Sequence, residues 1–156
     1  NKIADYYNHN TFNSGNTYNA HPIGCAVAVA CINIYESDNL INNAAELGVI
    51  LSRELNEIKF KHISIGAVRS IGLFGAIEFV KNGDEMLVPL NANAEELRPM
   101  LALKNHLLEK GLFVNINWNI LLIIPPLCIS QSQLLSGLKL IDEAINIIDE
   151  YITQQQ

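Results

Sequence analysis

A group of polar side chains stands directly ahead of a strongly apolar segment near the start of the chain. The stretch GNTYNAHPIGCAVAVA (15–30) places a hydroxyl, a phenol and an imidazole before Pro22, and it has almost no polar side chain afterwards. Proline suits the first helical position, so Pro22 predicts the start of a helix, and the free amides and dipole there favour an anion. Thr17 and nearby amides are therefore candidates for binding a phosphate. In the alternative interpretation, Thr17 and Asn19 only organise a turn, and His21 only approaches the helix cap.

The other residues with chemical potential do not form a recognisable catalytic set. The four histidines are dispersed, and each alone is more often structural or exposed than a ligand: His9, His21, His62 and His106. Gly72 and Gly75 flank the start of an expected strand and do not open a helix, so they do not form a nucleotide-binding loop. A nucleophile with its base or a metal-ligand set is not found at useful spacing, so no catalytic or metal residue is assigned.

The composition excludes several classes of partner. The chain of 156 residues carries ten basic and sixteen acidic side chains, a formal net charge of −6, and its three arginines are scattered. A nucleic-acid partner is therefore not expected. Because no uninterrupted apolar segment reaches the roughly 18 residues of a membrane span and no signal peptide opens the chain, no membrane partner and a cytoplasmic location are expected. Cys25, Cys31 and Cys128 are not spaced as a disulfide framework and are expected to be buried thiols in a reducing compartment.

Apolar residues are more abundant than a small soluble monomer usually carries. Hydrophobic residues make up 49% of the chain and charged residues 17%. The helix after Pro22 is apolar around nearly its whole circumference and must be buried on most sides. The start at Asn1, without Met and already helix-like, predicts a piece of a longer protein, while the terminal glutamines have the character of a frayed natural end. A missing partner surface is expected.

Hydrophobic periodicity and turn residues predict the remaining elements. The strand at 73–80 is apolar on both faces and should be central in a sheet. The expected order is helices at about 22–35 and 40–58, strands at 63–67 and 73–80, a turn at 81–84, a short edge strand near 86–88, a helix between Asn93 and Gly111, strands at 112–116 and 120–124 joined at 117–119, and a terminal helix opened by a Ser130–Gln133 capping box. This order predicts an α+β fold, with helices covering a small, mostly antiparallel sheet.

Three motifs, in this order along the chain, resemble one enzyme family: GNTYNAHPIGCAVAVA (15–30), VRSIGLFGAIEFV (68–80) and ILLIIPPLCIS (120–130) followed by a terminal helix. They are similar to the C-terminal part of class III (omega) aminotransferases, the pyridoxal-phosphate enzymes of fold type I, and closest in wording to the taurine/β-alanine:pyruvate-type branch. The resemblance covers essentially the whole chain. It implies an interface arm and buried helix at residues 1–36, belonging to the large domain and dimer interface, and a C-terminal α+β small domain at 37–156.

The resemblance also implies roles for individual residues. In the family, the threonine of the Thr-Tyr motif reaches the phosphate of a cofactor held by the neighbouring subunit of a homodimer. By motif position this residue is Thr17, with Asn16 and Tyr18 beside it as further cofactor-binding residues. Arg69 and Glu78 also match recurrent family positions, where a structural role is favoured and Glu78 would pair with a buried base.

Two departures from the family pattern bear on activity. The Schiff-base lysine of the family lies upstream of the Thr-Tyr motif, and none of the seven lysines here occupies that position, so the chain alone should be inactive. Many members have an arginine three residues before the Pro-Pro pair, where it binds a substrate carboxylate; here the residue is Leu122. Leu122 and Trp118 are expected to border the substrate site, although Trp118 equally fits a turn residue that only packs on its neighbours.

Two functions from different classes follow. In the first, the chain is a fragment of an aminotransferase that transfers an amino group from an ω-amine, β-amino acid or amino sulfonate to a 2-oxo acid such as pyruvate. Its partners would be the missing N-terminal and large-domain part of the same protein, a homodimer partner and these small molecules. In the second, the chain is a free-standing regulatory or ligand-binding module that dimerises through its apolar helix.

Overall fold

The computed structural model describes residues 1–15, 17–81, 83 and 85–154, and the chain divides into two compact units, Asn1–Ser37 and Asp38–Gln156. The predicted positions Asn16, Asn82 and Asp84 lie outside the described residues. Among the described helices, none has the length and hydropathy that crossing a membrane requires.

The described part of the first unit contains two helices. Helix α1 spans Lys2–Tyr7, and the side chain of Asn1 caps it by accepting a hydrogen bond from the Ile3 amide. Helix α2 spans Pro22–Ser37, so the predicted helix start at Pro22 is confirmed. No residue of α2 is buried within this chain. Its expected burial therefore remains a prediction about a longer protein. The expectation of buried thiols is wrong for this chain, because Cys25 and Cys31 on α2 and Cys128 in the second unit are all exposed.

The second unit is an antiparallel sheet covered by helices, which confirms the predicted α+β fold. The elements are α3 (Leu40–Lys61), β1 (Ile65–Ile71), β2 (Phe74–Phe79), α4 (Arg98–Glu109), β3 (Asn115–Asn117), β4 (Ile120–Ile123) and α5 (Gln131–Thr153). The strand order is β1-β2-β4-β3, and every neighbouring pair is antiparallel. Strand β2 is internal, as its two apolar faces predicted.

One face of this sheet carries the hydrophobic core. Ile77 and Phe79 of β2 and Leu121 of β4 are fully buried. The helices contribute further buried side chains: Leu51 and Leu55 from α3, Leu103 and Leu107 from α4, and Ile145 and Ile148 from α5. Because side chains alternate along a strand, the opposite face carries Ala76, Glu78 and Leu122. These three residues are half-buried.

Helix α3 approaches the β1–β2 turn very closely. Gly72 in this turn has a φ of +52°, a conformation that glycine adopts without strain. A Cβ atom added to Gly48 of α3 would lie 2.6 Å from the Cα of Gly72 and 2.8 Å from its carbonyl carbon. The absence of a side chain at position 48 therefore allows the helix to sit against the turn.

Two predicted elements begin later in the structure. Asn93 and Glu96 form the expected reciprocal hydrogen bonds, yet α4 starts only at Arg98 because Pro99 has no amide to donate within an earlier helix. The strand predicted at 112–116 is β3 at Asn115–Asn117. Leu112 instead closes α4, since its amide bonds to the Leu107 carbonyl around Gly111, which has a φ of +82°. The edge strand predicted near 86–88 is a single bridge between Val80 and Met86.

Candidate functional site

The polar stretch before α2 folds into a tight corner. Tyr18 and Ala20 both have positive φ values, 66° and 55°, and the His21 amide donates to the Tyr18 carbonyl at 3.2 Å. The His21 carbonyl then accepts from the Cys25 amide at 2.9 Å, which begins the hydrogen bonding of α2. The Tyr18 ring meets the imidazole of His21 edge-on, with ring centroids 6.1 Å apart. The corner therefore delivers the chain into the helix with a defined geometry.

Thr17 lies at the entrance of this corner with its hydroxyl available. Thr17 is exposed, and no hydrogen bond joins its hydroxyl to another described residue. Tyr18 is 83% exposed, and Asn16 lies outside the described residues. The first turn of α2 holds no acidic residue and presents amides that have no partner within the helix. A hydroxyl and unpaired amides at a helix start have the donor chemistry that an anion requires.

The second unit has an apolar cleft at the end of β4. The cleft has a volume of about 350 Å³ and lies between β4, the segment before β3 and the first half of α5. Leu122, Ile124, Pro126, Leu134 and Ile141 are among its lining residues, and no charged side chain is described in its lining. The position where the family resemblance expects an arginine therefore presents only an aliphatic side chain to this space.

The hairpin between β3 and β4 carries Trp118 at its turn. Trp118 has a φ of 51°, is 36% exposed, and does not line the cleft that contains Leu122. The next residue, Asn119, is only 1% exposed. Its amide nitrogen Nδ2 donates to the Phe79 carbonyl at 2.9 Å, and its carbonyl accepts from the Phe79 amide at 2.8 Å. Trp118 and Leu122 therefore lie on the same hairpin, but only Leu122 lines the cleft. The two hydrogen bonds of Asn119 anchor the turn of this hairpin to β2.

Arg69 and Glu78 form an ion pair on the same sheet face as Leu122. The distance from Arg69 Nη1 to Glu78 Oε2 is 2.9 Å, and the two side chains are 68% and 29% exposed. The basic partner of Glu78 is therefore exposed, contrary to the buried base that the resemblance implied. Exposed pairs of this kind contribute about 1 kcal/mol or less to stability, so a structural role for this pair is modest.

A cluster around His62 was not singled out by sequence reasoning. His62 Nδ1 lies 2.6 Å from Asp149 Oδ2, and His62 Nε2 lies 3.1 Å from Asp142 Oδ1. Asp142 also accepts a hydrogen bond from Lys61 Nζ at 2.9 Å. Burial alone would raise the pKa of Asp142, but the hydrogen bonds and charges of Lys61 and His62 outweigh it and lower the pKa. Asp142 and Asp149 stand two helical turns apart on α5, and this spacing was the one local signal in the sequence.

Comparison with known proteins decides the family. A family model described as aminotransferase class-III matches residues 1–145. The chain belongs to the class III aminotransferase family. This membership confirms the resemblance drawn from the three motifs.

Several relatives of this aminotransferase chain are known. It is 33% identical over 132 residues to 4-aminobutyrate aminotransferase of Escherichia coli K12, covering 85% of this chain and 30% of that protein. It is 29% identical over 140 residues to ethanolamine-phosphate phospho-lyase homolog 1 of Caenorhabditis elegans, covering 86% of this chain and 28% of that protein. The chain therefore spans less than a third of the length of these curated relatives.

A solved structure also matches nearly the whole of this chain while being much longer than it. The taurine:2-oxoglutarate aminotransferase of Bifidobacterium kashiwanohense, solved with PLP and glutamate, superposes with a TM-score of 0.83 at 29% identity. The match covers 97% of this chain and 34% of that protein. Both units of this chain thus have counterparts in an aminotransferase that is about three times as long.

Proposed function

We propose that the chain is the C-terminal part of a pyridoxal-phosphate-dependent aminotransferase. The single observation that carries this proposal is the family match over residues 1–145. The complete protein would transfer an amino group from an ω-amine, β-amino acid or amino sulfonate to a 2-oxo acid such as pyruvate. Family membership favours this function over the free-standing regulatory module that the sequence left open.

The residues of this chain fit one part of a pyridoxal-phosphate site. The exposed Thr17 hydroxyl, without a described hydrogen-bond partner and next to the start of α2, suits a contact to the phosphate group. When bound, the cofactor supplies an electron sink for exchanging amino and keto groups. Thr17 would anchor its phosphate across a homodimer interface, with Asn16 and Tyr18 beside it. We assign the covalent lysine to the upstream part of the protein and residues 1–36 to the large domain and interface.

The charge-free cleft at Leu122 supports the proposed class of amino donor. A substrate carboxylate next to Leu122 finds no cation in the described lining of this space, so it loses the bidentate contact that an arginine provides. Donors whose recognition does not depend on a carboxylate at this position are therefore favoured. The hairpin with Trp118 and Leu122 would form one wall of the substrate site and exclude water from it.

If the covalent lysine lies upstream of this chain, the 156-residue chain alone should not bind pyridoxal phosphate covalently at one site. After incubation with pyridoxal phosphate and treatment with borohydride, mass spectrometry should show no stoichiometric adduct at a single lysine of this chain. The complete protein should show one such adduct upstream of Thr17 and should have transaminase activity. A single stoichiometric adduct on the isolated chain would refute the upstream position of the lysine, and a complete protein without transaminase activity would refute the function.

A second test addresses the amino donor through Leu122. In the complete protein, Leu122→Arg should raise kcat/KM roughly 10- to 150-fold for donors that carry an α-carboxylate, because a charge-assisted hydrogen bond contributes about 1.5–3 kcal/mol. The measurement is a panel of amines with and without carboxylates. Leu122→Met keeps the size and neutrality of the side chain and serves as the control. Equal donor profiles for the Arg and Met variants would show that position 122 does not face the substrate.

A further inference from the structure

The cluster at the C-terminal end of α3 joins this helix to α5 through a nearly buried histidine. His62 is 8% exposed and ends α3, while Asp142 and Asp149 belong to α5. Asp149 uses both carboxylate oxygens, since Oδ2 contacts His62 and Oδ1 accepts from the Ser64 amide at 3.0 Å. Asp149 therefore binds the His62 side chain and the Ser64 backbone amide to the same face of α5.

The geometry of the ring constrains its protonation state. Both ring nitrogens of His62 lie at hydrogen-bond distance from carboxylate oxygens, at 2.6 and 3.1 Å. A neutral imidazole has one N–H group, so one nitrogen would present a lone pair to a carboxylate. Only the doubly protonated ring donates to both aspartates. The arrangement is therefore complete when His62 carries a positive charge.

The surrounding charges are compatible with this state. Among the described residues, the charged groups that contact His62 or its carboxylates are Asp142 and Asp149 from α5 and Lys61 from α3. Glu57 and Glu54 of α3 act on Lys61 from further away. The segment leading into β1 contributes the uncharged Ser64. With His62 charged, the two cations His62 and Lys61 face the two carboxylates. With His62 neutral, the exposed Lys61 is the one remaining cation in contact with them among the described residues.

We propose that His62, Asp142 and Asp149 form a proton-dependent clamp that fixes the corner between α3 and β1 onto α5. The clamp is closed while the ring holds both protons and weakens when the ring loses one of them. Its effect extends into the sheet, because the Ser64 carbonyl accepts from the Val80 amide at 2.8 Å, directly after β2. Loss of the ring proton thus loosens the edge where β1 begins and β2 ends.

The acidic limit of the clamp follows from Asp142. Asp142 has a lowered pKa in the folded state, so its contribution is present above the ordinary carboxylate range of about 4 and is lost as the pH falls through the folded value. The clamp therefore requires a pH above the folded-state pKa of Asp142.

The test combines ring NMR with unfolding of the 156-residue chain. At pH 6 the long-range ¹H–¹⁵N spectrum of His62 should show both nitrogens protonated. His62→Gln should raise the unfolding equilibrium constant more at pH 6 than at pH 9, because the two contacts with Asp142 and Asp149 are charge-assisted only while the ring is doubly protonated. His9→Gln, which changes an exposed histidine, should give no such difference.

A second variant separates the clamp from a general loss of structure. Asp149→Asn retains an oxygen that can accept from the Ser64 amide, but it removes the negative charge of the carboxylate next to the His62 ring. The spectrum of His62 should therefore become that of a neutral ring at lower pH than in the unmodified chain. This readout remains available if His62→Gln does not fold. A neutral, single-tautomer ring at pH 6 in the unmodified chain would overturn the proposal, as would an unchanged His62 titration in Asp149→Asn.

Discussion

Alanine at position 17 of the complete protein is expected to weaken retention of pyridoxal phosphate by about 1–3 kcal/mol, roughly a 5- to 150-fold increase in the dissociation constant. The Thr17 hydroxyl has no described partner within this chain and precedes the amides of α2, so its removal takes away one donor to a charged phosphate. Cofactor release can be measured from the absorbance of the bound chromophore during dialysis.

Two further variants at position 17 sharpen this prediction. Thr17→Ser keeps the hydroxyl and should retain the cofactor nearly as well as the unmodified protein. Thr17→Val keeps the shape of the side chain but not the donor, and should behave like Thr17→Ala. If all three variants held the cofactor equally well, the assignment of Thr17 as the phosphate anchor would be wrong.

Gly48→Ala should destabilise the second unit by a net amount of about 2 kcal/mol. The new methyl group would lie 2.6 Å from the Cα, 2.8 Å from the carbonyl carbon and 2.9 Å from the carbonyl oxygen of Gly72, and these backbone atoms cannot rotate away. Overpacking of this kind costs about 3 kcal/mol at its upper end, while alanine returns about 1 kcal/mol of helix propensity. The free energy of unfolding in urea measures the difference.

Gly137→Ala on α5 is the matched control for this substitution. A Cβ atom at position 137 would lie 3.7 Å from Leu112 Cδ1, an ordinary van der Waals contact. Helix propensity therefore dominates, and the variant should be more stable by about 0.5–1 kcal/mol. Equal stabilisation by both substitutions would mean that α3 and the β1–β2 turn are less closely packed than the structure shows.

Most of the fold was predictable because its signals are local. Pro22 begins α2, and Ser130 and Gln133 form the expected capping box, with the Gln133 amide donating to Ser130 Oγ at 3.3 Å. The internal position of β2 followed from an apolar run on both faces. Each of these features depends on residues a few positions apart, where proline geometry, capping and side-chain alternation act directly.

The misplaced elements and the unpredicted polar pairs have physical reasons. Leu112 continues an apolar run into the next strand, but its amide closes α4 instead, and the apolar pattern does not distinguish these two uses. The contacts of His62 with Asp142 and Asp149 join residues 80 and 87 positions apart. Such pairings arise from tertiary packing and leave little trace in the local sequence.

The candidate site also combines features that the local sequence predicts with features that depend on tertiary packing. The Thr17 corner could be named because its motif is contiguous, and its role stays a prediction. The different positions of Trp118 and Leu122 relative to the cleft depended on strand register and the path of the chain after Pro126, which the sequence did not specify.

The double attachment of Asn119 to Phe79 has a consequence for how the hairpin can respond to a ligand. Its side-chain amide and its carbonyl both bond to the backbone of β2, so bending the turn would break two buried hydrogen bonds at once. The tip of the hairpin is therefore stiff in its backbone. Any adjustment of the indole at position 118 to molecules of different size must come from rotation about its side-chain torsions.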